Sequence, residues 1–178
     1  MRIRDIVIIG MLASILIAVQ VGLGFLPNIE LVSILIIVYS LVLHKKAVYI
    51  ISVFIIIEGI IYGFGLWWIN YLYIWFILYF ITTLLTKTKS ALTWALISGS
   101  YGLSFGALCS IPYLFIGSVE GSILGGLQMA FSYWLSGIPF DIAHGIANFI
   151  IAFVLFKPLY MLLSYLVNLY YSNWKASY

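Results

Sequence analysis

Residues 58–73 read Glu58-Gly59-Ile60-Ile61-Tyr62-Gly63-Phe64-Gly65-Leu66-Trp67-Trp68-Ile69-Asn70-Tyr71-Leu72-Tyr73. A carboxylate sits inside an apolar run. About one helical turn later come Tyr62, two turn-forming glycines, a tryptophan pair and Asn70. In lipid an ionisable side chain costs roughly 2.5 kcal/mol or more, so it turns toward a bundle interior or a cavity. Trp and Tyr just beyond it belong at the membrane–water boundary, where their rings also stack on flat ligands. The stretch is therefore read as two membrane helices and the turn between them, lining a small-molecule site near one membrane face.

The composition around it agrees. Of 178 residues, 65% are hydrophobic and 7% charged, and the mean hydropathy is +1.20. A soluble domain carries about 25% charged residues, which excludes a water-soluble reading. The length suits one bundle, a single transmembrane domain over residues 1–178. The eight Lys and Arg are scattered in ones and twos, so the net charge of +3 is no nucleic-acid signature. The single cysteine, Cys109, excludes an internal disulfide and any multi-cysteine metal site.

The expected fold is an all-α membrane protein, a compact bundle of six transmembrane helices. Span one covers about Ile6 to Leu23 and ends before Phe25-Leu26-Pro27-Asn28, with Asn28 a good N-cap for the next helix. It is preferred to a cleaved leader because no small-residue cleavage site precedes a soluble region. Span two, Ile29 to Leu43, measures only about 22 Å as a helix, so it is flanked by protein or reaches part of the way. Span three, Ala47 to Phe64, carries Glu58; span four covers Leu66 to Leu85; span five, Ala91 to Ile116, holds Pro112 as a kink or exit. Residues 117–137 read as a loop with an interfacial or re-entrant helix. Span six starts after Pro139 and is interrupted at Lys157-Pro158.

Charge orients this bundle. With both termini cytoplasmic, Arg2, Arg4, Lys45, Lys46, Lys87, Lys89 and Lys175 lie inside and Lys157 toward the inner end, leaving no basic residue outside. Glu30, Glu120 and Asp141 fall at the outer face. A seventh span through residues 117–137 would move the last two lysines out.

The outer ends share a chemistry. Asn28 and Glu30 come from the first outer loop, Trp67, Trp68, Asn70 and Tyr71 from the second, and Asp141, His144 and Asn148 from the start of span six. The last three are spaced i, i+3, i+7 and share one helix face. Taken singly, these are interface aromatics and helix caps, Asp141 capping span six. With Glu58 and Tyr62 deeper in the bundle, an outward-opening pocket is the better account. Two small-residue stripes recur every fourth residue: Gly10, Ser14 and Ala18 on span one, and Ser98, Gly102, Gly106 and Ser110 on span five. Such stripes let helices approach closely in lipid. The second suits internal packing; the first equally suits a partner subunit.

Catalysis finds little support. Phe140-x-x-x-His144 and His144-x-x-x-Asn148 resemble intramembrane proteases of the prenyl-protein-processing type, but Glu58 lacks the second Glu and the Arg such a site requires. There is no phosphate-cradling Gly-Lys-Ser/Thr loop, no Ser or Cys beside a base, and two histidines far apart make no metal site.

The chain resembles the membrane-embedded substrate-binding (S) components of energy-coupling factor (ECF) transporters. The resemblance spans nearly the whole chain in its length, six spans and short first outer loop. It rests also on Gly10/Ser14/Ala18 at the place of the family's Ala-x-x-x-Ala docking motif, and on Leu26-Pro27-Asn28-Ile29-Glu30 and Gly65-Leu66-Trp67-Trp68-Ile69-Asn70. It implies a bacterial plasma-membrane protein that catalyses nothing and needs no cofactor. Such a protein captures a vitamin from outside and releases it after docking to a transmembrane coupling subunit driven by two ATPase subunits. A non-transport scaffold of the cell-shape type is the alternative. An outer half with acids and aromatics but no Lys or Arg favours a neutral or cationic ring compound over folate, biotin or pantothenate. Thiamine, riboflavin, a pyridoxine-type vitamer, a queuosine precursor and a corrinoid all remain open.

Overall fold

Val32–Leu43 (α2) is apolar all round, as a helix enclosed by others must be. In the computed structural model it forms the axis of the molecule, with Val32, Ile36 and Ile37 fully buried. The structure describes residues 2–175; the side chains of Glu120 and of residues 172–175, Lys175 among them, lie outside the described residues, so their expected positions are not part of it. Around α2 stand Ile3–Leu23 (α1), Lys46–Tyr62 (α3), Leu66–Leu84 (α4) and the long Ile123–Lys175 (α8). Ala91–Leu103 (α5), Phe105–Cys109 (α6) and Ile111–Glu120 (α7) form a broken rod laid along α8. Every element among the described residues is helical.

Helices α1, α4 and α8 are long and apolar enough to cross a membrane. The α5–α7 rod, bent by 43°, makes a fourth if counted as one span. Their outward faces are apolar too: Ile3, Met11, Phe80, Leu96, Phe131 and Met161 are all exposed. Such a surface belongs in lipid rather than water.

Helix α2 is short because it is surrounded by protein. Its start is also later than expected, at Val32 instead of Ile29. Asn28 is not its N-cap. The chain reverses through Asn28 in the left-handed region (φ 62°), a conformation Asn tolerates. Glu30 supplies the cap instead, its Oε2 accepting the Ser33 N–H at 2.8 Å.

The second half departs further. Residues 117–137 are not a loop: α7 ends at Glu120, the chain turns at Gly121 and Ser122, and α8 then continues unbroken for 53 residues. Pro139 lies inside α8, not in its first turn, and Pro158 does not interrupt it. Neighbouring helices let a membrane helix carry internal proline by satisfying the backbone it frees. The break expected at Pro112 falls earlier, at Ser104 and Ser110. Pro112 sits in the first turn of α7, and its missing N–H leaves the Leu108 carbonyl without its usual donor. The Tyr73 hydroxyl donates to that carbonyl at 2.6 Å, with Asn70 Oδ1 2.8 Å away.

Close backbone approach joins α5 to α8. A Cβ on Gly102 would stand 2.9 Å from Gly145 Cα and 3.0 Å from the His144 carbonyl carbon. The stripe on span five thus packs internally, while Gly117 and Gly126 hold α7 against the start of α8 in the same way. At the far end Asp5 Oδ1 accepts from Lys46 Nζ (2.9 Å) and the Tyr171 hydroxyl (2.7 Å), clasping α1, α3 and α8 together.

Candidate functional site

Asp141, His144 and Asn148 share a buried face of α8, as their spacing requires, and each meets a different neighbour. Asp141 Oδ1 accepts the Gly106 N–H at 2.8 Å. That amide lies in the first turn of α6, just past the break, so Asp141 caps α6 and not its own helix. A side chain at Gly106 would collide with this carboxylate. His144 Nε2 lies 3.3 Å from Glu30 Oε1. Asn148 Nδ2 donates to Ser33 Oγ at 3.3 Å, tying α8 to α2 one turn deeper.

Between these groups and the 24–30 turn lies a cavity of about 260 Å³. Asn28, Glu30, Asp141 and His144 line it, so four of the expected site residues converge. Tyr71, Trp75, Phe105 and Gln20 complete the wall. The rings interlock edge to face: Tyr71 on Trp75 at 5.3 Å, and Phe105 on His144 at 4.9 Å between centroids. Gln20 Nε2 donates to the Tyr71 hydroxyl at 3.3 Å. A second cavity of about 370 Å³ lies on the other side of Asp141, sharing Asn28, Phe105 and Asp141 and adding Cys109, Tyr133 and Phe140. No Lys or Arg lines either one.

Glu30 carries the local electrostatics. Burial alone would raise its carboxyl, but the hydrogen bond and charge of His144, with the Ser33 bonds, outweigh burial and hold it below the usual carboxylate range. Both its oxygens are thereby committed to protein partners.

The remaining expected residues stand elsewhere. Glu58 is buried in α3 but does not line this cavity, and its Oε1 has no hydrogen-bond partner. Tyr62 is exposed, its ring edge-on to Trp67 at 6.3 Å. Trp67 in turn meets Tyr71 at 5.2 Å, one ring removed from the cavity. Trp68 donates its indole N–H to the Ile55 carbonyl at 2.9 Å, stapling α4 to α3. Asn70 is the buried neighbour of Tyr73, whose hydroxyl meets the Leu108 carbonyl. Gly10, Ser14 and Ala18 are exposed on α1, and a Cβ on Gly10 would meet nothing within 4 Å.

Sequence reasoning missed Gln20, Trp75 and Phe105, and it named Tyr71 among residues that taken singly are interface aromatics. The signal was present: Trp67, Tyr71 and Trp75 recur every fourth residue, which aligns them along one face of α4. Among the described residues no group of three His, Cys, Asp or Glu side chains is placed to hold a metal ion. What the arrangement offers is recognition by aromatic walls, two carboxylates and one imidazole.

Comparison with protein-family models, curated proteins and solved structures finds no match to this chain.

Proposed function

We propose that this chain is the membrane-embedded substrate-binding subunit of an ECF-type importer, capturing a vitamin or related neutral or cationic ring compound. The observation that carries this reading is the cavity beside Glu30, Asp141 and His144, closed by Tyr71, Trp75 and Phe105. It opens at the end of α1 opposite the basic clasp formed by Lys46 with Asp5 and Tyr171. With basic residues cytoplasmic, that end faces outward, and six crossings put both termini inside the plasma membrane of a bacterial cell. The proposed ligand-binding group is Asn28, Glu30, Asp141 and His144. Asn148 supports them one turn deeper, through Ser33.

Release requires a partner. Gly10, Ser14 and Ala18 make an exposed small-residue stripe on α1, where the helices of a transmembrane coupling subunit can approach closely. That subunit and its two ATPases supply the energy, since this chain carries no nucleotide-binding loop. A cell-shape scaffold has no use for a buried carboxylate, Asp141, beside aromatic walls.

The test is mass spectrometry of small molecules extracted from protein purified from cells grown in rich medium. A bound vitamin-like compound in stoichiometric amount is expected. An empty extract, together with no thermal stabilisation by thiamine, riboflavin, pyridoxine-type vitamers, queuosine precursors or corrinoids, would refute the reading.

A further inference from the structure

This inference rests on the reading of the cavity as a ligand site and names what it takes. Most polar groups at the cavity are already satisfied. Glu30 spends its oxygens on His144 and Ser33, and the Tyr71 hydroxyl accepts from Gln20. Two buried side-chain atoms at the cavity have no partner. Asp141 is 7% exposed, and its Oδ2 has no hydrogen-bond partner. Trp75 is 2% exposed, and its indole N–H has none either. Both line the smaller cavity, and Asp141 also lines the larger.

An orphaned buried acceptor costs the full desolvation of that atom, and more when it is ionised. Bulk water does not relieve these two, because neither atom is reached by solvent. Oδ2 comes within reach of a ligand donor only by a turn about the Cβ–Cγ bond, a soft torsion that moves Oδ1 with it against the Gly106 N–H. Oδ2 wants a donor, best a cationic one, since N⁺–H to carboxylate bonds are about twice as strong as neutral ones. The indole N–H has no such torsion, its ring being held among Phe54, Tyr71, Tyr101 and Phe105. No Lys or Arg stands by to receive a carboxylate or phosphate. The smaller cavity, about 260 Å³, is at the low end for ligand sites and holds one ring.

We infer that the two cavities flanking Asp141 form one site for a small cationic heterocycle, its N⁺–H on the Asp141 carboxylate. Asp141 selects by charge, and Phe105, shared by both cavities, stacks on the ring.

The probes are three compounds that share one pyridine ring and differ at one substituent: pyridoxamine (aminomethyl), pyridoxine (hydroxymethyl) and 4-pyridoxic acid (carboxylate). Each is titrated at up to millimolar concentration against the full chain in detergent, read by thermal stabilisation, beside mass spectrometry of the co-purified compound. The amine should stabilise best and the acid not at all. Asp141→Asn retains an acceptor for the Gly106 N–H and should weaken the amine about tenfold or more and the alcohol less. Trp75→Phe should leave the preference for the amine in place. If the three do not bind, the co-purified compound decides, and it must carry a basic nitrogen and be lost from Asp141→Asn. Preference for the acid, an anionic or uncharged co-purified compound, or an amine preference surviving in Asp141→Asn overturns this inference and leaves the binding function standing. Absence of any binding and of any co-purified compound overturns both.

Discussion

Replacing Gly102 by alanine tests whether backbone contact between α5 and α8 holds the cavity in shape. The added Cβ would lie 2.9 Å from Gly145 Cα, where ordinary contact begins near 3.4 Å. Both atoms belong to helix backbones, so no side chain can swing aside. The helices must part by about 0.5 Å at this level. One turn away the Asp141–Gly106 bond of 2.8 Å bridges the same two rods and would lengthen with them. Overpacking of this kind costs typically about 1–3 kcal/mol. The assay is thermal unfolding in detergent, followed by size-exclusion, with Gly10→Ala as control because a Cβ there meets nothing within 4 Å. Gly102→Ala should lower the midpoint by several degrees and weaken ligand binding with it, while the control does neither. A Gly102→Ala protein as stable as the control would refute the claim that α5 and α8 touch through their backbones.

Four further outcomes are expected. Glu30 is held below its ordinary 4.5, so its contribution to stability is fully present above that value and is lost as the pH falls through the depressed folded value; midpoints measured from pH 7 to 3 should show this loss, and His144→Phe should shrink it. Ligand titration should quench tryptophan fluorescence through Trp75, which lines the cavity, so Trp75→Phe should remove most of the signal and the double Trp67→Phe, Trp68→Phe variant should keep it. Tyr171→Phe removes a hydroxyl bonded to Asp5 and Lys46, worth about 1–3 kcal/mol with charged partners; hydrogen exchange should then rise near the start of α1. Ala18→Leu, on an exposed face of α1, should abolish ATP-dependent uptake while leaving ligand affinity near wild type, and loss of both together would remove this face as the docking surface.

How much of this was legible depends on which physics decided each feature. The helices α1 to α4 were readable because apolar runs bounded by Pro27, Lys45-Lys46 and Gly63–Gly65 leave few alternatives. The second half was not, because its breaks are set by tertiary contact. Pro139 reads as a first-turn residue, yet lies well inside α8. Gly121, one of several glycines in its segment, is where the chain turns, because Gly117 and Gly126 bring α7 and α8 together around it. The face of Asp141, His144 and Asn148 followed from spacing alone. Their partners did not, since Gly106 becomes an open donor only through the break at Ser104. The tryptophan pair was chosen by residue type, whereas the wall of the cavity is set by orientation, which the four-residue recurrence from Trp67 to Trp75 carries and the adjacency of Trp67 and Trp68 does not.

Helix α8 carries Asp141 and His144 at the cavity and Tyr171 at the clasp with Asp5 and Lys46. The thirty residues between Asp141 and Tyr171 make a strut of about 45 Å, longer than the hydrocarbon it passes through. A strut has few ways to accommodate a tilt: what moves at one end is matched at the other, less whatever Pro158 absorbs as a joint. The pocket and the basic clasp are thus two ends of one lever. Under the proposed function, loading of the pocket would be mechanically geared to the grip on α1 at the clasp.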